Sequence, residues 1–446
     1  MKTISIDKGI FKSILGFSLP YLLSYFLQTL YGMADLFIIG QFNGVESTTA
    51  VSIGSQVMHM LTVIIVGLAM GSTVTIAQAI GAERKEDASD AVGNTVFLFS
   101  AFALLLTAVL LFSINSIVSV MSTPAEAVEG TTTYLTICFI GIPFITAYNV
   151  ICSVFRGMGD SKSPMYFVAV ACAANIALDY LFIGAFQMGA AGAALGTTVS
   201  QAISVVISLA IIVRKKIGIK VSTKNFKPKK GVMGMLLKIG VPVAFQDGFI
   251  QVSFLIITLF ANQRGLNDAA AVGIVEKVIA ILFLVPSSML STVSALAAQN
   301  IGAGRYDRAR LIMKYAIVLA VSFGAVSTIA MQFGAEYAVA FFADSSEAVI
   351  IAGGQYMRGY VWDCVLAGIH FCFSGYFCAC GHSEMSFLHN SISILCARIP
   401  LSYLAAKHFA DTLFPMGLSP AAGSALSVLI CIAVYIKICK KQIIEN

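Results

Sequence analysis

The sequence predicts an all-α integral membrane protein with about twelve transmembrane helices, arranged as two pseudo-symmetric bundles of six. The first observation is composition: 58% of the 446 residues are hydrophobic, 11% are charged, and the mean hydropathy is +0.88. A soluble domain of ordinary composition is about one-quarter charged. The second observation is that apolar runs of helix-span length recur, and a helix satisfies all its backbone hydrogen bonds within lipid. The third is an internal repeat.

Twelve apolar runs, separated by polar breaks, define the predicted helices. In the first half they cover residues 13–39, 48–80, 89–115, 128–154, 162–184 and 190–213. In the second half they cover residues 233–262, 268–300, 308–331, 347–379, 384–407 and 417–438. The first run follows the polar stretch Met1–Lys12 and is too long for a cleavable signal, so it is expected to remain as the first spanning helix.

The distribution of Lys and Arg predicts the orientation. With the N-terminus placed in the cytoplasm, the inner segments hold Lys2, Lys8, Lys12, Arg84, Lys85, Arg156, Lys162, the run Arg214 to Lys230, Arg305, Arg308, Arg310, Lys437, Lys440 and Lys441. The outer loops hold only Arg264 and Lys407. Because Lys and Arg accumulate on the cytoplasmic side, both termini are predicted to be cytoplasmic in a multi-pass protein of the cell membrane.

The two halves of the chain repeat one another. Four segments of the first half recur at an offset of about 221–222 residues. The pairs are Leu19-Pro20 with Val241-Pro242, Ala50–Ile53 with Ala271–Ile274, Gln78–Gly81 with Gln299–Gly302, and Phe155–Ser161 with Phe377–Ser383. Six helices return the chain to its starting side, so the halves share one orientation about an axis along the membrane normal. The predicted domains are residues 1–213, a basic cytoplasmic linker at 214–232 that rests near lipid headgroups, and residues 233–446.

Two carboxylates and one hydroxyl fall at one depth of the first bundle, and one amide lies a helical turn from the second carboxylate. Asn175 and Asp179 are one turn apart on a helix face. Asp35 and Asp179 each lie ~8 Å below the outer end of their helix, and Thr197 lies at ~10 Å. Oxygen ligands of this kind bind Na⁺, and a desolvated carboxylate can instead bind H⁺. The sequence does not choose between the two ions. Hydrogen bonds between helices are the structural alternative, which explains less well two carboxylates with no basic residue predicted at their level.

Other polar residues offer weaker candidates. Gln28 and Tyr31 share a helix face with Asp35, which suggests either a polar track for substrate or a locally paired interface. Pro20 removes a backbone hydrogen bond and permits a helix bend. In the second half, Asp247 and Asp363 are candidate second proton carriers, although acids and bases are balanced there and favour structural ion pairing.

Several function classes are not supported by any motif. A phosphate-binding loop is absent, so ATP is not expected as a partner, and no catalytic constellation indicates an enzyme. Cys378, Cys380 and His382 lack zinc-ligand spacing, so no metal is expected beyond Na⁺ at Asp35, Asn175, Asp179 and Thr197. No cofactor and no nucleic-acid partner is expected. The expected partners are small organic substrates and membrane lipid, and the protein is expected to be a monomer.

Five motifs make the chain resemble the multidrug and toxic compound extrusion (MATE) family along essentially its whole length. They are Gln28–Gly40 (QTLYGMADLFIIG), Ala77–Gly81, Phe155–Asp160, Gly192–Thr197 and Arg398–Ser402. The resemblance implies efflux of organic, often cationic compounds in exchange for Na⁺ or H⁺. It also implies a cation site of the DinF-like type at Asp35, Asn175, Asp179 and Thr197, with Gln28 and Tyr31 in the substrate cavity.

A second branch of that family, the NorM-like one, carries an acidic residue in helix seven with partners in helix ten. Here Gln251 stands nearest on helix seven, Asp247 precedes it by one turn, and Asp363 in helix ten has no clear tyrosine partner. The second bundle therefore departs from that pattern.

The leading hypothesis is thus a secondary antiporter that works by alternating access. The alternative is a lipid-linked precursor flippase of related two-bundle architecture, which would more naturally line its cavity with basic residues than this chain does. A third hypothesis is a passive channel or a membrane scaffold that does not transport.

Overall fold

The computed structural model describes residues 8–215, 222–342 and 346–445. Within these ranges the regular elements are helices, and no strand occurs. The predicted all-α membrane fold is confirmed. Lys2, used above for the orientation, and residues 216–221 of the predicted linker lie outside the described residues.

Twelve helices follow the predicted apolar runs in the described part of the chain. In chain order they are α1 Lys8–Phe42, α2 Val45–Gly81, α3 Lys85–Val120, α4 Val128–Ile140 with Ile142–Gly157, α5 Lys162–Asp179, α6 Gly189–Lys215, α7 Lys230–Arg264, α8 Leu266–Leu282 with Leu284–Gly302, α9 Tyr306–Ala340, α10 Glu347–Tyr360 with Trp362–Ala379, α11 Ser383–Ser393 with Ile399–His408, and α12 Phe414–Glu445. A π-helical turn, Tyr180–Ala185, extends α5, and another, Ile394–Arg398, joins the two parts of α11.

Ten of these helices are long and apolar enough to cross a membrane, and the bent α4 makes an eleventh. The two parts of α4 meet at 49°. Gly141 stands between them and Pro143 begins the second part, where its missing N–H removes a backbone hydrogen bond. The remaining helix, α11, is less apolar because it carries Glu384, His389 and Arg398.

The chain forms two compact units that divide at different places from the predicted domains. The first unit is Leu19–Ala244, and the second is Phe245–Asn446 together with Met1–Ser18. α1 therefore changes unit just before Pro20, and α7 changes unit just after Pro242. The predicted boundaries at 213 and 233 follow the sequence repeat, whereas the units follow the packing of these two helices.

Two glycines explain why the start of α7 belongs to the first unit. A Cβ atom on Gly71 of α2 would overlap the carbonyl oxygen of Leu236, and one on Gly240 of α7 would overlap that of Leu68. The backbones of α2 and α7 therefore touch, as membrane helices do at small residues.

The described end of the linker is fixed to the same unit. The side chain of Asn225 donates to Asp90 Oδ1 at 2.8 Å, and the Lys229 ammonium forms an ion pair with the same carboxylate. Asn94 Oδ1 accepts from the Lys229 backbone N–H at 2.7 Å. These contacts tie residues 225–229 to α3, directly ahead of α7.

Each unit has its own apolar core. In the first unit, α1, α2, α3, α4 and α6 bury a cluster that includes Ile38, Tyr134 and Phe139. In the second unit, α10 is the most buried helix, and its Tyr356 and Tyr360 are fully inaccessible to solvent. The four residues predicted to bind a cation all belong to the first unit.

Candidate cation site

Asp35, Asn175, Asp179 and Thr197 come together in the first unit. The Thr197 hydroxyl on α6 donates to Asp35 Oδ2 on α1 at 3.2 Å. Asn175 and Asp179, both on α5, are the other polar neighbours of the Asp35 carboxylate. Three helices thus supply two carboxylates, one amide and one hydroxyl to a single point, as the depth comparison predicted.

Asp35, Asn175 and Asp179 are buried, Thr197 is half-buried, and most polar side-chain atoms of the three buried residues lack a hydrogen-bond partner. Asp35 is 4% exposed, Asn175 1% and Asp179 0%. Asp35 Oδ1, both carboxylate oxygens of Asp179 and both amide atoms of Asn175 make no hydrogen bond of normal geometry. Buried polar atoms in proteins are nearly always paired. The unpaired oxygens are therefore available to coordinate a small positive ion.

The two acidic side chains have no basic counterpart. Among the described residues, the ion pairs join Arg84 to Asp87, Lys229 to Asp90, Arg264 to Asp268, Arg310 to Asp307, Arg358 to Glu336 and His382 to Glu384. Neither Asp35 nor Asp179 takes part. Because two facing buried carboxylates repel one another and are poorly solvated, the charged pair requires a proton or a cation.

A π-helical turn follows directly after Asp179. α5 ends at this residue, and the wider turn Tyr180–Ala185 continues it, with the Phe186 N–H donating to the Leu181 carbonyl at 2.9 Å. Such turns occur often at functional sites. Sequence periodicity gave no sign of this turn.

Gly196 is a site residue that the sequence analysis did not single out. A Cβ atom at this position would overlap Asp179 Oδ1. One turn earlier, a Cβ on Gly192 would lie 3.1 Å from the Phe182 carbonyl carbon. The spacing of Gly192 and Gly196 is the small-xxx-small pattern that lets membrane helices approach closely, and it could have indicated the contact of α6 with α5.

The other α1 candidates lie along the same helix. Tyr31 is half-buried, and Asp35 and Cys172 are among its ionisable neighbours. Gln28 is half-buried nearly one turn further towards the N-terminus of α1. Pro20 lies inside α1, and the Ser24 hydroxyl donates to its carbonyl oxygen at 2.8 Å. Roles for Gln28 and Tyr31 in a substrate cavity, and for Pro20 as a bend, stay predictions.

The candidates in the second unit do not meet at one point. Asp363 is 1% exposed and lies near Arg398 and Ser424. Asp247 lies near Gln246 and Cys378. Cys378 follows Asp363 by 15 positions on α10, which is about 22 Å along a helix.

Arginines serve structural roles around Asp363. Arg398 donates to the Tyr360 hydroxyl at 2.8 Å, and its guanidinium lies 4.6 Å from the Phe254 ring centre. Arg358, on the same helix as Asp363, pairs with Glu336 at 3.0 Å. Arg358 thus pairs with Glu336 and not with Asp363, and structural ion pairing of Asp363 stays a prediction.

A sequence model of the MatE family matches residues 20–181 and 242–404. The two matched segments begin 222 residues apart (242 − 20), in agreement with the internal repeat. The chain belongs to the MATE family. Membership does not favour the flippase alternative, and assignment to the DinF-like type stays a prediction.

The similarity to MATE relatives extends over nearly the whole chain. The chain is 27% identical over 442 residues to a probable multidrug resistance protein, YoeA, of Bacillus subtilis (strain 168), covering 97% of this chain and 95% of that one. It is 24% identical over 393 residues to the multidrug export protein MepA of Staphylococcus aureus (strain NCTC 8325 / PS 47), covering 86% of each chain.

Solved MATE structures share the fold. An outward-facing conformation of a multidrug resistance MATE family transporter of the MOP superfamily superposes with a TM-score of 0.90 at 21% identity, over 99% of this chain and 100% of that one. A MATE structure in complex with MaL6 gives 0.90 at 22% identity, covering 97% of each chain. The two-bundle helical architecture predicted from the sequence is therefore that of MATE proteins.

Proposed function

We propose that this protein is a secondary antiporter of the cell membrane that exports organic, often cationic and amphipathic compounds in exchange for Na⁺ or H⁺. Family membership supports export, because the relatives YoeA and MepA are named for multidrug resistance and multidrug export. Both termini would lie in the cytoplasm, as the Lys and Arg distribution predicts.

The observation that carries this proposal is the facing pair of buried carboxylates, Asp35 and Asp179, without a basic partner. One Na⁺ or H⁺ would compensate one of the pair's two negative charges and relieve their mutual repulsion in a poorly solvated site. The pair lies at the predicted outer level of its helices, so the ion would reach it from outside. An ion shifts the equilibrium between the inward-facing and outward-facing states only if it binds one of them more tightly than the other. In this proposal the ion binds more tightly to the outward-facing state, which releases the exported compound.

Either ion can be accommodated by the same side chains. A sodium ion would find hard oxygen ligands on Asp35, Asp179 and Asn175, with the Thr197 hydroxyl completing the set. A proton would be held between the two carboxylates, with Thr197 donating to Asp35 Oδ2 as it does in the structure. The resemblance to other MATE proteins does not decide between them.

Efflux of a fluorescent cationic dye tests the proposal and separates the ions. Cells that contain the protein are loaded with the dye, and the Na⁺ and H⁺ gradients are collapsed separately with selective ionophores. We expect efflux to stop when one gradient is removed and to continue when the other is removed. Efflux that stays unchanged after both gradients are collapsed would contradict antiport and would favour a passive pathway.

A further inference from the structure

A small cavity lies within the first unit beside the last turn of α4. Arg156, Asn149 and Ser153 of α4 line it together with Tyr21 of α1 and Thr73 of α2. Its volume is about 10 Å³, about the space that one water molecule requires. Arg156 is only 7% exposed. The sequence analysis used this arginine solely as an inner positive charge that sets the topology.

Arg156 has no negative partner in the described part of the chain. Its guanidinium forms no ion pair or hydrogen bond there, and its Nε atom is fully buried and unpaired. The ionisable groups around it are tyrosine hydroxyls and the Cys152 thiol. The closest acid in sequence, Asp160, instead accepts hydrogen bonds from the backbone and side chain of Ser163 and from the backbone of Lys162.

The aromatic contact of Arg156 does not compensate the positive charge of its guanidinium. The guanidinium carbon lies 4.0 Å from the centre of the Tyr21 ring. A cation–π contact of this kind is favourable, but it is weaker than the penalty for burying an uncompensated ion. Arg264 differs in this respect, because its side chain, 8% exposed, pairs with Asp268 at 2.7 Å.

Two N–H groups of the cavity lining remain available to donate to an anion. The Thr73 hydroxyl is already used, since it donates to the Ser153 carbonyl at 3.1 Å, and the Ser153 hydroxyl donates to the Val150 carbonyl at 2.8 Å. Asn149 donates one N–H to the Ile145 carbonyl at 2.8 Å, which leaves its second N–H. Together with Arg156 Nε–H, this N–H can meet a ligand, and no carboxylate lines the cavity.

We propose that this cavity binds a small monovalent inorganic anion, a halide such as chloride, against the Arg156 guanidinium. A halide is larger than the water molecule that the cavity could hold, so the flexible Arg156 side chain would shift slightly to admit it, whereas a phosphate or an organic carboxylate is far larger. A water molecule would fill the space but leave the guanidinium charge uncompensated. Arg156 lies at the predicted inner end of α4, so the anion enters from the cytoplasm. The repeat counterpart of Arg156 is Cys378, and the second unit therefore lacks this site.

The purified protein in detergent provides the test. Its thermal unfolding midpoint is measured in sodium chloride and in sodium gluconate at equal ionic strength, so that only the anion differs. We expect chloride to raise the midpoint in a saturable way, because it binds the folded state, and we expect Arg156→Gln to lose this response. Arg264→Gln, which removes an equally buried but paired arginine, is expected to keep the chloride response.

A second variant and a direct observation keep the test decisive if Arg156→Gln does not fold. Ser153→Asp places a carboxylate one helical turn from Arg156, so its midpoint in gluconate should approach that of the unmodified protein in chloride, without a further chloride response. Crystals of the unmodified protein grown with bromide should show an anomalous peak beside Arg156. A midpoint equal in both salts, a chloride response that survives Arg156→Gln, or the absence of the bromide peak would overturn the proposal.

Discussion

Replacing either Asp35 or Asp179 by asparagine is expected to abolish coupled export while the protein still inserts in the membrane. Asparagine preserves the size of the side chain but removes the negative charge that binds the coupling ion. The remaining carboxylate then no longer faces a second negative charge, so the site binds the coupling ion less tightly. We expect dye efflux at matched protein levels to fall by more than about tenfold, which corresponds to about 1.4 kcal/mol or more.

A matched control uses the same substitution in the same unit. Asp87 carries a carboxylate that is 53% exposed and pairs with Arg84 on the surface. Such surface pairs contribute little, so Asp87→Asn should leave efflux unchanged. Normal, gradient-driven efflux by both Asp35→Asn and Asp179→Asn would contradict the assignment of the cation site.

Gly196→Ala is expected to impair ion coupling without unfolding the protein. The added Cβ would overlap Asp179 Oδ1, so the carboxylate must leave its present position beside Asp35. Because the displaced atom is the end of a rotatable side chain, the loss of stability should stay at or below the ~1–3 kcal/mol typical of overpacked cores. The coupling-ion concentration that gives half-maximal efflux should rise by about tenfold, a binding loss of about 1.4 kcal/mol.

Gly32→Ala is the control for this change. Gly32 lies on α1 within one turn of Asp35, and no heavy atom lies within 4 Å of a Cβ built there. The same methyl group should therefore leave the ion dependence unaltered, and it should not lower the unfolding midpoint, because alanine favours the helix over glycine. If Gly196→Ala kept the ion dependence of the unmodified protein, the position of the Asp179 carboxylate in the structure would have no bearing on coupling.

The convergence of the four polar side chains was largely predictable because it depends on short-range spacing and on depth, whereas their role in binding a cation stays a prediction. Asn175 and Asp179 are four residues apart on one helix, and the distances of Asp35 and Thr197 from the outer helix ends place them at the same level. The repeat was equally accessible, since paired motifs share one offset. The family match then recovered the two halves with the same offset.

Features that depend on contacts between distant segments could not be predicted in the same way. The overlap of Gly196 with Asp179 requires the approach of α5 to α6, and periodicity records only one helix at a time. The changes of unit near Pro20 and Pro242 follow from the packing of α1 and α7, not from the repeat. Arg156 looked like an ordinary topological charge, and only its burial revealed that it lacks a counter-ion.

Release of the coupling ion upon substrate binding tests the central claim most directly. A cationic compound that the protein exports is added to the purified protein, and released H⁺ is followed with a pH indicator in weak buffer, or released Na⁺ with a radioactive tracer. We expect the unmodified protein to release one of these ions as it binds the compound, and Asp35→Asn and Asp179→Asn to release none. Binding of the compound without release of either ion, or equal release by the two variants, would contradict the claim that this carboxylate pair carries the coupling ion.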